Sequence, residues 1–294
     1  MPNLKEVKNR ISSVISTQQI TKAMKMVAAA KLRRSQDRIT QMRPYAVKLE
    51  GIIRNLSEAQ SSGDVDNWFS TPREEQRILI IAVSSDRGLC GSFNSSIFKG
   101  VMRLVTEKYE QQHKKGNVVI LPVGKKAAEY FRKRHFQTLH QHAEILNTLS
   151  FNSAAAVADD VMKAFRDGKF DKVDLVYNEF KNVATQILRT EQVLPVQLPK
   201  VEKKSNNVDY IFEPAQEEII AELLPTALRI QVFKALLDSN ASENGARMTA
   251  MDKATENAGE LLKELKLSYN RSRQAAITKE ILEIVGGAEA LKSA

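Results

Sequence analysis

At the start of the chain, Leu4, Val7, Ile11, Val14, Gln18 and Thr21 recur at alternating steps of three and four. That spacing is the seam of a coiled coil. It resumes at Met42, Ala46, Leu49, Ile53 and Leu56. Between the two stretches runs Ala23-Met24-Lys25-Met26-Val27-Ala28-Ala29-Ala30, strong helix formers with seam positions small or polar enough for close approach of a partner. No glycine precedes Gly51, and after Pro2 only Pro44 interrupts, where a kink or loosened turn is expected. The pattern predicts one helix over 1–60, whose fifty-odd helical residues span ~80 Å at ~1.5 Å per residue.

The other end repeats it. Met251, Ala254, Ala258, Leu261, Leu265, Ser268, Ser272 and Ala275 keep the three-four alternation, and Ile219, Leu223, Ile230, Phe233 and Leu237 give a wider apolar face before them. No proline follows Pro225. A helix of roughly seventy residues within 209–294, ~100 Å long with one apolar stripe, is not stable alone in water. Its natural partner is the other long helix.

The middle has a different period. Ile78–Val83, Val118–Val123 and Val173–Phe180 are short continuous apolar runs, as buried parallel strands require. Helical stretches are expected over about 94–111, 125–134 and 154–167, and an edge strand over 184–194. This alternation predicts a small Rossmann-like α/β domain over 76–200, bounded by Ser61-Ser62-Gly63-Asp64 and Lys203-Lys204-Ser205-Asn206-Asn207. The fold class expected is α/β: a long antiparallel coiled coil of N- and C-terminal helices with that domain inserted.

Charge sharpens the pairing. Residues 1–56 hold twelve Lys/Arg against three acids, a local +9; residues 57–208 hold 22 against 18, and residues 209–294 hold 10 against 14, a local −4. Oppositely charged helices suit antiparallel neighbours. The run Lys22, Lys25, Lys31, Arg33, Arg34 and Arg38 has almost no intervening acids to pair with at i,i+4, which calls for an acidic partner. Single-stranded nucleic acid would be met by interleaved aromatics, and none occurs between Asn3 and Pro44. An acidic protein surface is the better match. No apolar run approaches the ~20 residues of a membrane span. The N-terminus lacks a signal-like apolar segment, and a single cysteine excludes an internal disulfide, so a cytosol-like compartment is expected.

Candidate chemistry is thin. Ser84–Ser92 lies between a strand and a helix, where phosphate loops lie, but its glycines do not make G-x-G-x-x-G. Lys125 is not a Walker lysine: position 119 is Val where glycine is needed, and no Ser/Thr follows. A structural turn is expected. Cys90 stands near a helix start that would lower its pKa, yet no motif pairs it with histidine, so packing is expected. His140 and His142 would share a strand face as a metal pair; lacking a carboxylate or cysteine pattern, they read as solvated surface. No cofactor is expected.

Several segments resemble one family. Ile20-Thr21-Lys22-Ala23-Met24-Lys25-Met26-Val27-Ala28 with Ser35-Gln36 is similar to the N-terminal helix of the gamma subunits of F-type ATP synthases. Ser84–Asn94 resembles their first strand and turn. Ser242–Met251, Tyr269–Ile281 and Glu283–Ala288 resemble their C-terminal helix. The resemblance covers the whole chain in order, which neither a basic nucleic-acid-binding scaffold nor a Rossmann-like enzyme with helical extensions explains. It implies a non-catalytic rotor shaft turning inside a ring of alpha and beta subunits, with the epsilon subunit and the membrane rotor c-ring at its foot. The place implied is the cytoplasmic face of the bacterial inner membrane, held peripherally through the complex. It further implies that Arg273, Gln274, Thr278 and Glu280 meet the beta-subunit catch loops. Arg247 matches a position linked to coupling, and Met24 with Lys22 and Lys25 faces an acidic beta-subunit lever. Arg33 extends that basic stripe.

Overall fold

The computed structural model describes residues 4–59, 68–69, 71, 73–196 and 216–292. Two helices, α1 (Leu4–Ala59) and α6 (Gln216–Lys292), enclose in sequence a five-stranded sheet with its helices. The chain divides into two compact units, one made of residues up to Ala28 and from Met248 onward, the other of Ala29–Arg247.

In the first unit, α1 and α6 pair antiparallel. Val7, Thr21 and Ala28 of α1 are buried, with Leu4, Ile11, Val14, Gln18 and Lys25 part-covered on the same stripe. The register is fixed by polar contacts as much as by apolar ones. Lys25 Nζ lies 2.5 Å from Asp252 Oδ1, Thr255 Oγ1 donates to Thr21 Oγ1 at 2.8 Å, and Gln18 Nε2 donates to the Thr255 carbonyl at 3.4 Å. A polar residue on a seam costs stability and specifies register. On α6, Met251 and Ala258 are buried, and Leu262, Leu265, Ser268 and Ser272 are among the part-covered positions that follow. Leu261, expected on the seam, is exposed; the four-residue step from Ala258 lands on Leu262 instead. Past Ala276, α6 is exposed on every side as far as Ala288. Ile277, Ile281, Leu282, Ile284 and Val285 stand in solvent there.

The second unit is a three-layer α/β structure. Strands β1 (Ile78–Val83), β2 (Val118–Val123), β3 (Gln137–Thr138), β4 (Lys172–Phe180) and β5 (Gln186–Leu194) lie in the order β3-β2-β1-β4-β5. All neighbours are parallel except β5, which returns antiparallel to β4 at the edge. Strand β1 explains its own unbroken hydrophobicity: Leu79, Ile81 and Val83 face one layer, Ile78, Ile80 and Ala82 the other. The first layer holds α5 (Phe151–Arg166) and the early part of α6. The second holds α2 (Phe93–Glu107) and α4 (Lys125–Lys133). A capping box joins Ser150 and Ser153 at the start of α5.

One expected feature is corrected here. The helix expected over 94–111 stops at Glu107, and a separate short helix α3 (Glu110–Lys114) follows. The break lets Tyr109 bury its ring while its hydroxyl donates to the buried Asp174 carboxylate at 2.5 Å, satisfying a group that burial would otherwise leave unpaired. Helix α6 runs through Pro225, as the expected span 209–294 implies, residues 209–215 of that span lying outside the described ones. An interior proline costs about 3 kcal/mol, and burying Leu224 and Leu228 on the sheet returns about 1.5–3 kcal/mol each.

Between Ala235 and Ala246, α6 is covered almost all round. Leu236 faces the sheet layer, whereas Leu237 and Ala241 pack with Leu32 and Ile39 of α1. Ser35 of α1 donates to Asn240 Oδ1 at 2.7 Å, and Asn244 Nδ2 reaches the same oxygen at 3.2 Å. The three-four stripe of α1 thus passes through Leu32, Ser35, Ile39 and Leu49 in this unit.

Candidate functional site

In an open parallel sheet, ligands bind beyond the carboxyl ends of the strands where the order reverses. Here that point lies between β1 and β4, under the loop Ser84–Ser92. The loop's own polar groups are already engaged. The Ser85 backbone amide donates to Asn94 Oδ1 at 3.0 Å, Asn94 Nδ2 donates to Ser85 Oγ at 2.8 Å, and that Oγ donates to the Arg87 carbonyl at 2.6 Å. Ser84 Oγ accepts the Ala127 amide at 2.8 Å. A Cβ added at Gly124 (φ +102) would stand 2.4 Å from the Ser84 carbonyl oxygen, so only glycine permits the two loops to approach.

Helix α6 closes the remaining space. Ala246 packs with Cys90, Phe93 and Val176. The Arg247 guanidinium holds Glu243 at 2.6 Å and donates to the carbonyls of Arg87 and Gly88 at 3.2 and 3.3 Å. Both side chains of this ion pair are less than 15% exposed, at 14% and 12%. Burial pushes Glu243 above the ordinary carboxylate range, against the pull of Arg247. A place that elsewhere cradles a phosphate is occupied by the protein's own cation and carboxylate. Burial likewise pushes the Cys90 thiol upward, although Ser85 and Arg247 act the other way. A helix start does not activate it.

The two histidines do not meet as a pair. His140 Nε2 contacts Thr138 Oγ1 at 2.9 Å, and His142 Nε2 contacts Asp160 Oδ2 at 2.8 Å. His142, expected on solvated surface, is mostly covered, its side chain 14% exposed. Among the described residues, no group of His, Cys, Asp or Glu gathers as metal ligands.

The positions marked for partner contact fall into three settings. In the first unit, Lys22 is exposed and Met24 half-buried, while Lys25 is bound to Asp252. The basic stripe is therefore not wholly unpaired: Lys25 belongs to the helix pair. Arg33, in the second unit, is exposed, and Arg38 donates to the Leu149 carbonyl at 3.3 Å. Among the described residues, Lys22, Arg33 and Arg34 make no ion pair. Arg247 is engaged internally as described. Arg273, Gln274, Thr278 and Glu280 lie exposed near the bare end of α6, where Thr278 Oγ1 bonds only back to the Gln274 carbonyl.

Sequence reading missed two buried polar clusters. One joins the buried Tyr109, Asp174 and Lys172 with the half-exposed Lys108 and Glu75. The other centres on Asp238, which is 3% exposed with one carboxylate oxygen, and the hydroxyls of Ser239 and Ser242 beside it, lacking a hydrogen-bond partner among the described residues. A lone acid within a helical apolar run was the available signal.

These features define a class: a protein of paired long helices with a doubly wound α/β unit whose usual ligand crevice is filled from within. A family model described as ATP synthase matches residues 3–291. The chain is 57% identical to the ATP synthase gamma chain of Cytophaga hutchinsonii across all of both proteins, and 51% identical to that of Flavobacterium johnsoniae across 99% of each. It belongs to the ATP synthase gamma chain family. Among solved structures, it resembles a chain of the Tetrahymena thermophila mitochondrial ATP synthase central stalk and c-ring, with a TM-score of 0.56, 27% identity and coverage of 80% of this chain and 99% of that one. A chain of the Euglena gracilis mitochondrial ATP synthase rotor, at 20% identity and TM-score 0.62, shares its fold over 93% of this chain and 98% of that one.

Proposed function

We infer that the chain is the central-stalk rotor subunit of an F-type ATP synthase. It couples ion flow through the membrane sector to ATP synthesis or hydrolysis in the catalytic ring, and it has no catalytic site of its own. The observation that carries this reading is the antiparallel helix pair with a bare apolar α6 end, on a chain alike from end to end to ATP synthase gamma chains. The filled crevice supports the non-catalytic part.

The mechanism follows from asymmetry. A shaft presents different faces to otherwise identical catalytic subunits, so their nucleotide affinities differ, and turning it cycles those differences. The helix pair supplies stiffness. The exposed Ile281, Leu282, Ile284 and Val285 suit a bearing, since apolar contact lacks the directional bonds that would hold one orientation. The partners proposed are the alpha and beta subunits around the helix pair, and the epsilon subunit and c-ring at the α/β unit. Lys22, Met24 and Arg33 are proposed to face an acidic beta-subunit surface, and Arg273, Gln274, Thr278 and Glu280 the catch loops. Lys25 and Arg247 act in the same account through Asp252 and the β1 loop. The assembled complex holds the chain peripherally at the cytoplasmic face of a bacterial inner membrane; among the described residues no helix is long and apolar enough to cross it. The domain limits 1–60, 76–200 and 209–294 are retained as proposed functional segments.

The test reverses Lys22 and Arg33 to glutamate in the assembled enzyme and keeps Lys25, so that the Asp252 pair survives. The ratio of ATP-driven proton pumping to ATP hydrolysis falls, with hydrolysis retained. Unchanged pumping would sink the assignment of these cations to a beta-subunit surface.

A further inference from the structure

On the sheet face that carries α5, a cavity of about 270 Å³ opens between that helix and β2. Its floor is core: Leu79 of β1, Leu121 of β2, Val161 of α5 and Phe170 are buried members of one apolar cluster. The outermost strand, β3, has only two residues. The segment after it, rather than a helix, closes this part of the face, packing Leu139 against the same core.

Around that floor the lining is polar, and its charges are unequal. His142 Nε2 lies 2.8 Å from Asp160 Oδ2, so the aspartate is already engaged. Lys163 and Lys169 line the same cavity, both exposed, and neither makes an ion pair among the described residues. With histidine counted as neutral, two ammonium groups stand against one carboxylate, which leaves the cavity with a positive excess. An apolar floor with a few polar groups at its edge is the form of a small-molecule site.

We propose that this cavity binds small organic monoanions, a carboxylate carried on a short aliphatic body. At ~30 Å³ for each water-sized group, the space admits about eight or nine non-hydrogen atoms, which is the size of hexanoate. The tail displaces water from Leu79, Leu121 and Phe170, and this burial supplies the affinity. The carboxylate meets Lys163 and Lys169, and this pairing supplies the selectivity. Asp160 repels a second negative charge, which favours a monoanion over a dianion. This inference stands independently of the rotor reading.

The full chain is titrated with hexanoate at pH 7 and constant ionic strength, with binding followed by ligand-observed NMR. Saturable binding with a Kd of about 1 mM is expected for a ligand of this size. Acetate keeps the charge and lacks the tail, and binds at least about tenfold more weakly. Hexanol keeps the tail and lacks the charge, and binds at least about threefold more weakly. Replacing both lysines, Lys163→Met with Lys169→Met, brings hexanoate down to the hexanol level and leaves hexanol unchanged. Ala164→Leu, which fills the cavity from α5, weakens both ligands. No saturable hexanoate binding up to about 20 mM would overturn the proposal, as would equal affinities for hexanoate and acetate. So would a double lysine variant that holds hexanoate as tightly as before, or a folded Ala164→Leu chain with unchanged affinity. Both lysines are exposed, so their replacement decides the matter even if Ala164→Leu does not fold.

Discussion

Replacing Asp238 by asparagine stabilises the folded chain at pH 8 and leaves it nearly unchanged near pH 4. Asp238 lies on the most enclosed stretch of α6, and burial raises its pKa from 3.8 to about 6. The charged groups around it come from every packed element: Lys234 on α6 and Arg43 on α1 favour ionisation, whereas Glu179 on β4 and Glu191 on β5 oppose it. A raised folded-state value means that the fold prefers the neutral acid. Its contribution is therefore fully present below pH 4 and is lost as the pH rises through about 6. A shift of about two units is worth about 3 kcal/mol at most. Asparagine keeps the shape and carries no charge, but it leaves its own amide to be satisfied, so a net gain of about 1–2 kcal/mol at pH 8 is expected. For a unit of this size that is a rise of several degrees in Tm. Melting of the full chain and the Asp238→Asn variant, followed by circular dichroism at pH 4, 6 and 8, gives the difference. A gain that is equal at all three pH values, or largest at pH 4, would refute the reasoning.

Other substitutions probe the remaining elements. Leu262→Ala weakens the helix pair by about 2 kcal/mol, while Leu261→Ala costs well under 1 kcal/mol, and urea titration of the two variants checks which leucine occupies the seam. Gly124→Ala forces a methyl into the Ser84 carbonyl at a backbone conformation that side chains resist, so the α/β unit loses several kcal/mol in chemical denaturation, on the scale of overpacking plus backbone strain. Tyr109→Phe removes one partner of a buried carboxylate and costs about 1–3 kcal/mol, read in the same way.

Much of this architecture is legible in periodicity. Unbroken apolar runs such as Ile78–Val83 reveal strands buried on both faces, and the three-four spacing of Leu4 to Thr21 reveals the pairing stripe. Where two templates overlap, periodicity falters. Leu261 and Leu262 both lie one turn past Ala258, and only the facing helix decides between them. Pro225 lies inside the expected helix, and the burial of Leu224 and Leu228 that offsets it comes from residues distant in sequence. Tyr109 reads as helix interior because its reason to break the helix, Asp174, lies 65 residues away. The site shows the same limit. The loop Ser84–Ser92 is recognisable as a strand-to-helix turn, and the missing glycine spacing argues against a nucleotide. That Arg247 and Glu243 fill the space is a long-range pairing that no local motif announces. Lys25 reads as an unpaired cation for the same reason, since Asp252 is 227 residues away.

The central claim is rotation, and it is measured most directly by watching the chain turn. A cysteine introduced at the exposed Ser95 carries a fluorescent or bead probe, with the buried Cys90 left in place. The chain is assembled with its catalytic ring, the ring is fixed to a surface, and ATP is added. The account predicts unidirectional rotation of the probe in three steps per turn, at a rate that follows ATP hydrolysis. A probe that keeps a fixed orientation while the ring hydrolyses ATP through the assembled chain would contradict it.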